Sequence, residues 1–146
     1  EAIADLRDVM RRYPTSPYAD AALDMIARAE TTLASHDYAV GRFYFKKKAW
    51  DAASQRFKRI LDRYPRYRNR EELYYYLGRA LFRAENELEG RIYLERVIQD
   101  YPDGKLAKES QKFLDKAAAT AAADGDAASG EEPTAGATDT AEGPRQ

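Results

Sequence analysis

Four side chains repeat their chemistry 37 residues further along the chain. Tyr38, Arg42, Phe45 and Lys46 are matched by Tyr75, Arg79, Phe82 and Arg83. The order is aromatic, cation, aromatic, cation both times. Such a set suits an acidic or aromatic-bearing peptide segment, because cations are drawn to ring faces and make charge-assisted hydrogen bonds to carboxylates. The competing reading is that neighbouring helices cover the aromatics while the cations are merely solvated. A second basic feature, Arg63, Arg66, Arg68 and Arg70, follows Pro65, and residues 42–70 hold eleven basic and two acidic side chains. Nucleic acid or an anionic membrane surface is conceivable for it. A basic flank for an acidic protein partner is favoured, because nothing resembles a base-reading module. Catalytic chemistry finds little to work with. His36 is the only histidine and stands beside Asp37, whereas catalysis also needs a positioned nucleophile and a dry pocket. Ser35 and Ser54 read as ordinary helical serines. There is no cysteine, no phosphate-cradling glycine loop and no metal-spaced cluster, so we expect no enzyme activity, cofactor or metal.

The elements that must hold these residues declare themselves by a longer pattern. Val40-Gly41, Tyr44, Ala53, Phe57, Ile60 and Tyr64-Pro65 superimpose on Leu77-Gly78, Leu81, Gly90, Leu94, Val97 and Tyr101-Pro102, again 37 residues apart. This is the spacing of the tetratricopeptide repeat, a helix–turn–helix unit that stacks into a solenoid with an extended concave surface. In that repeat family the fifth, ninth, twelfth and thirteenth positions of the first helix face the groove. Here they are Tyr38, Arg42, Phe45 and Lys46, then Tyr75, Arg79, Phe82 and Arg83. The Lys/Asn pattern by which some such repeats clamp a C-terminal carboxylate is absent.

Helical periodicity predicts six elements. Glu1–Tyr13 reads as the second helix of a repeat. Ser16 and Pro17 supply an N-cap and a first-turn proline for one long helix reaching about Lys48. Its stripe is Tyr18, Ala22, Met25, Ile26, Ala29, Leu33, Val40 and Tyr44, with a break near Ser35–Asp37 as the alternative. Tyr13-Pro14 and Tyr64-Pro65 are 51 residues apart, 14 more than the next pair, which adds about four turns to a helix while nearly preserving its facing. Helices follow at about Trp50–Tyr64, Arg70–Ala84, Glu87–Tyr101 and Gly104–Ala119. The last repeats the start of the long helix and carries a polar outer face of Lys105, Lys108, Glu109, Lys112 and Asp115, as a solenoid end requires.

Charge divides the chain. Residues 1–116 hold 23 basic and 19 acidic side chains, whereas residues 117–146 hold one basic and six acidic. That Ala-, Gly-, Thr- and Asp-rich stretch has no bulky apolar residue to offset its ordering entropy, so it is expected to be disordered, although Ala117–Ala123 can prolong the last helix. The expected organisation is a repeat domain over residues 1–116 and a tail over residues 117–146. No apolar run approaches the roughly 18 residues of a membrane span. Glu1 in place of Met and a helical pattern from the first residues lead us to expect further chain upstream.

The stretch Leu33-Ala34-Ser35-His36-Asp37-Tyr38-Ala39-Val40-Gly41-Arg42-Phe43-Tyr44-Phe45-Lys46-Lys47-Lys48-Ala49-Trp50, with Ala52-Ala53, Arg56 and Asp62-Arg63-Tyr64-Pro65, resembles the outer-membrane assembly lipoprotein family BamD (ComL, YfiO). That family's C-terminal half runs in the same order: Tyr-Pro-x-Ser-x-Tyr, a long helix, a Val-x-x-Tyr-Tyr segment, an Ala-Trp or Ala-Tyr pair, then Tyr-Pro. The resemblance covers about residues 1–116 and is specific around residues 13–65. It implies an all-α helical-hairpin solenoid that is a non-enzymatic scaffold at the periplasmic face of the bacterial outer membrane. It also implies docking on the POTRA domains of a BamA-type barrel, and membrane contact only through a lipid anchor on the N-terminus that this chain does not include. A periplasmic repeat protein of the Tol–Pal system, the CpoB (YbgF) type with similar Tyr-Pro-x-Ser repeats, is the alternative, although its regular repeats lack the 14-residue extension. The regulatory repeat domain of an enzyme is a third class.

Overall fold

The computed structural model describes residues 1–128. They form α1 (Ala2–Arg12), α2 (Ala19–Lys46), α3 (Trp50–Arg63), α4 (Arg70–Arg83), α5 (Glu87–Asp100) and α6 (Lys105–Ala128). Chain contacts divide the protein into Glu1–Leu114 and Asp115–Gln146. Of the second unit only the continuation of α6 through Ala128 is described. The expected start of the tail is therefore helical, because the Ala-rich run keeps the backbone pattern going where it has no packing to gain. The rest of the expected disordered tail, residues 129–146, lies outside the described residues.

Three Tyr-Pro turns share one backbone arrangement. Tyr13, Tyr64 and Tyr101 close their helices by donating N–H to Val9, Ile60 and Val97, and each then accepts from the residue three further on, Ser16, Tyr67 and Gly104. The following proline lacks an N–H and cannot continue the helix. The other turns also repeat. Ala49 N–H bonds Tyr44 C=O, and Asn86 N–H bonds Leu81 C=O, at 3.0 Å each. Both six-residue loops put a non-glycine residue in the left-handed region, Lys48 at φ 60 and Glu85 at φ 63. The long α2 is unbroken through Ser35–Asp37 and is 28 residues long. Its start lies later than Ser16 suggested: Ser16 Oγ accepts from Tyr18 N–H across the turn, and the helix begins at Ala19. Pro17 thus belongs to the turn.

Large apolar side chains of α3 and α4 form one core, Phe57, Ile60, Leu73, Leu77 and Leu81, closed by Ala34 of α2 and Ala53 of α3. A second core joins α4, α5 and α6 through Tyr74, Tyr75, Leu94, Val97, Ala107 and Leu114. Tyr76, Tyr93 and Leu61 border both, so the cores form one continuous stack. Helix α1 is held differently. It buries no residue fully, and Val9, Tyr13, Tyr18 and Met25 stay exposed around a shallow apolar groove between α1 and α2.

What ties α1 to the stack is one buried carboxylate. Glu30 is 1% exposed. Its Oε1 pairs with the Arg7 guanidinium of α1, and its Oε2 accepts the Arg66 backbone N–H at 2.6 Å. The carboxylate therefore joins α1, α2 and the α3–α4 turn. Glu30→Ala should remove about 2–3 kcal/mol, since hydrogen bonds to a charged group are worth more than neutral ones and the change deletes both the Arg7 and the Arg66 partner contacts. Arg7 is half-exposed and can return to water, which keeps the loss below that for a fully buried pair. Chemical denaturation together with hydrogen exchange at α1 amides checks this. Exchange there should accelerate more than at α4, and equal acceleration of both helices would contradict the tie.

Candidate functional site

The recurring aromatic and basic residues form a ladder between the first helices of successive repeats. Tyr38 on α2 donates its hydroxyl to Glu72 Oε2 on α4 at 2.7 Å. Tyr75 on α4 donates to Glu109 Oε2 on α6 at 2.9 Å. The Arg42 guanidinium lies 3.5 Å above the Tyr76 ring, and that of Arg79 lies 5.3 Å from the Phe113 ring. Phe45 meets Tyr76 edge-on at 5.1 Å, and Phe82 meets Phe113 in the same way at 5.1 Å. Each pair of rungs is offset by 37 residues on both sides. Donor residues of one helix at i, i+4 and i+7 thus engage a carboxylate and a ring one turn apart on the next.

Burial and hydrogen bonding set the state of these groups. Removal from water pushes the Tyr38 phenol up, and its hydrogen bond to Glu72 pushes it further. Tyr75 is raised for the same reasons, with Glu109 as the carboxylate. Both phenols therefore remain protonated donors at neutral pH. Arg79 gives one N–H to Tyr75 Oη at 2.8 Å and is ringed by Phe45, Tyr75 and Phe113 at 5.3–5.8 Å. Its Nε is buried without a hydrogen-bond partner. The aromatics that the repeat pattern assigns to the groove are thus engaged in stacking, and two of its four cations are engaged with them.

What remains outward is a smaller set. Lys46 and Arg83, at the same repeat position, are exposed. Of the four basic residues expected around Pro65, Arg63 ends α3 and is exposed, and the other three have separate duties. Arg70 is spent on structure, donating to the carbonyls of Pro65 and Tyr67 and to Tyr74 Oη. Arg68 pairs with Asp24 of α2, and its backbone N–H bonds Thr31 Oγ1. Arg66 is anchored through its backbone to Glu30, and its side chain is exposed. Sequence reasoning missed the receiving half of the ladder, Glu72, Tyr76, Glu109 and Phe113, and it put Glu109 on the outer face of the last helix, whereas this half-buried carboxylate turns inward to Tyr75. The signal was present, because both pairs recur at the same 37-residue offset.

Candidate catalytic residues are not brought together. His36 is exposed, and the Ser35 and Ser54 hydroxyls bond carbonyls of their own helices at 2.6 and 2.9 Å. Asp37 turns away from His36 toward α3, where Arg56 and Arg59 approach it at 3.2 and 3.7 Å. Among the described residues no group of three or more His, Cys, Asp or Glu could hold a metal ion. No described helix is long and apolar enough to cross a membrane.

Comparison with known proteins agrees with this architecture. The family described as YfiO, outer membrane lipoprotein, matches residues 1–82, more than half of the 146-residue chain. The chain belongs to this family. A tetratricopeptide repeat also matches residues 72–104, covering α4, α5 and the turn that follows. Among curated relatives, the outer membrane protein assembly factor BamD of Vibrio cholerae is 38% identical over 64 residues, 44% of this chain and 27% of that protein. BamD of Caulobacter vibrioides is 41% identical over 64 residues, 44% of this chain and 21% of that protein. BamD of Rickettsia prowazekii is 30% identical over 98 residues, covering 67% of this chain and 39% of that protein. The chain therefore spans only about a quarter of the length of the first two relatives.

Proposed function

We propose that this chain is a non-enzymatic docking scaffold in outer-membrane β-barrel assembly, acting at the periplasmic face of the bacterial outer membrane. Its partner on this reading is a POTRA domain of a BamA-type barrel, and contact with the membrane runs through a lipid anchor of the parent protein. Family membership and the printed role of the BamD relatives support the setting. The observation that carries the docking reading is the split among the expected binding residues. Tyr38, Arg42, Phe45, Tyr75, Arg79 and Phe82 hold the repeats together, whereas Lys46, Arg66 and Arg83 present exposed cations. A partner with an acidic face would be steered to these three, and screening would weaken it as salt rises.

Calorimetric titration of a purified POTRA fragment tests the reading. Lys46→Glu with Arg66→Glu and Arg83→Glu should weaken binding about tenfold, or about 1.4 kcal/mol, with helicity unchanged. Arg42→Ala with Arg79→Ala should instead lower the melting temperature, because those guanidiniums cover rings between repeats. Unchanged affinity in the triple variant, with no salt dependence, would reject this surface. Recovery of Tol components instead of a barrel protein from envelope extract would favour the Tol–Pal alternative.

A further inference from the structure

Two loops of this fold share one backbone and carry opposite chemistry. Residues 47–49 join α2 to α3, and residues 84–86 join α4 to α5. Each closes with an N–H bonded to the carbonyl five residues back, and each holds its middle residue in the left-handed region, Lys48 at φ 60 and Glu85 at φ 63. Around the second loop Arg83 is outnumbered by Glu85 and Glu87, whereas the equivalent stretch of the first reads Lys46-Lys47-Lys48-Ala49-Trp50, with no acid. A cation in the last turn of the preceding helix is common to both, as the helix dipole favours. Lys47, Lys48 and Trp50 have no counterpart at the second loop, so loop geometry does not call for them. The three lysines are exposed, and none makes an ion pair among the described residues. Lys47 Nζ lies 5.8 Å from the ring of Phe43, which is 56% exposed one turn earlier. Trp50 is half-buried and edge-on to Phe45 at 5.2 Å, and its indole N–H has no hydrogen-bond partner among the described residues.

We propose that this end of the α2–α3 hairpin docks on an anionic phospholipid bilayer. The lysine ammonium groups meet headgroup phosphates, and the Phe43 and Trp50 rings enter the headgroup layer beside them. Charge complementarity selects an anionic surface, and each lysine near one strengthens partition about fivefold. The aromatic pair selects a bilayer, because such rings settle at the boundary between headgroups and hydrocarbon, with the indole N–H kept in the polar layer. A protein partner fits less well. One short loop and its flanks offer too little area for the about 1,000 Å² that a specific protein interface buries, whereas a bilayer is continuous and needs no matching shape. The inference does not rest on the POTRA reading. It adds a direct contact to the lipid anchor, and Phe43, Lys47, Lys48 and Trp50 lie outside the three cations assigned to the acidic partner. Lys46 borders both surfaces.

Vesicle flotation of the 146-residue chain tests this, and Trp50, the only tryptophan, reports on it directly. Vesicles of phosphatidylcholine with about 30% phosphatidylglycerol should carry the chain at low salt and release it as salt rises, whereas phosphatidylcholine alone should not carry it. Binding should shift the Trp50 emission to the blue as the indole leaves water. Lys47→Glu with Lys48→Glu should weaken partition at least tenfold, with circular dichroism unchanged. Lys108→Glu with Lys112→Glu makes the same change in net charge at exposed positions of α6. That control should alter partition by no more than about twofold, because charges distant from the contact are screened. Phe43→Ser, at an exposed position, should weaken partition several-fold with no change of charge. Absence of binding to the anionic vesicles, equal losses in the two double variants, or an unmoved Trp50 emission would each overturn the proposal. Loss of affinity for a POTRA fragment in the Lys47 and Lys48 double variant, with vesicles ignored by the native chain, would overturn it too, in favour of an acidic protein surface.

Discussion

Phe57→Ala is expected to cost about 3–5 kcal/mol and to lower the melting temperature by roughly 10 °C or more. Phe57 has no solvent exposure. Its ring lies 5.9 Å from Tyr38 and 6.4 Å from Tyr76, so it supports both members of the first ladder rung from below. It also lies against Gly41, where an added Cβ would fall 2.6 Å from the ring. Truncation removes dispersion contacts on every side, and the surrounding helices cannot collapse because three of them share the cavity. The effect should reach the ladder: Tyr38 loses the surface that orients it toward Glu72. Urea denaturation measures the first part and the near-ultraviolet tyrosine signal the second. Phe57→Leu, which keeps most of the volume, should cost far less. A loss as large for leucine as for alanine would show that ring shape, not filled volume, governs this core.

Gly90→Ala should destabilise by about 2 kcal/mol, although alanine is the better helix former by about 1 kcal/mol. The two terms have opposite sign, and geometry decides between them. A Cβ at Gly90 would stand 2.7 Å from the Gly78 carbonyl oxygen and 2.7 Å from the Phe82 nitrogen. Both obstacles are backbone of α4, which cannot rotate aside as a side chain can. Accommodation requires α5 to move off α4, and Leu94 to leave its seat against Gly78. Gly41→Ala should cost less, because the obstructing atoms there belong to the Phe57 side chain. Thermal unfolding of the two variants side by side tests the order. A neutral or stabilised Gly90→Ala would mean that the α4–α5 contact can open without loss.

Much of this fold was legible before any coordinates. The number, order and approximate ends of the helices followed from the Tyr-Pro pairs and the apolar period, since proline and a 3.6-residue repeat act locally. The length of α2 followed from arithmetic, because 14 extra residues fit four turns. Small residues at 41, 53, 78 and 90 marked helix contacts for the same steric reason that makes Gly90 sensitive. Serine 16 misled at the start of α2, because a Ser-Pro pair suits a turn as well as a helix cap, and only the chain path decides which.

The site divides along the same line. Sequence alone determined that an aromatic and basic set recurs after 37 residues and that it lies on first helices. Only the tertiary structure decided what each member touches. Tyr38 and Tyr75 meet carboxylates 34 residues away, Arg42 lies over a ring of the next repeat, and Arg70 and Arg68 are taken by carbonyls and Asp24, while Lys46, Arg66 and Arg83 stay outward. The physical reason is that a repeat period fixes which residues are equivalent but not which neighbour consumes their hydrogen bonds and ring faces. That depends on the distance and rotation between stacked helices, which buried side chains such as Phe57 and Leu94 set together.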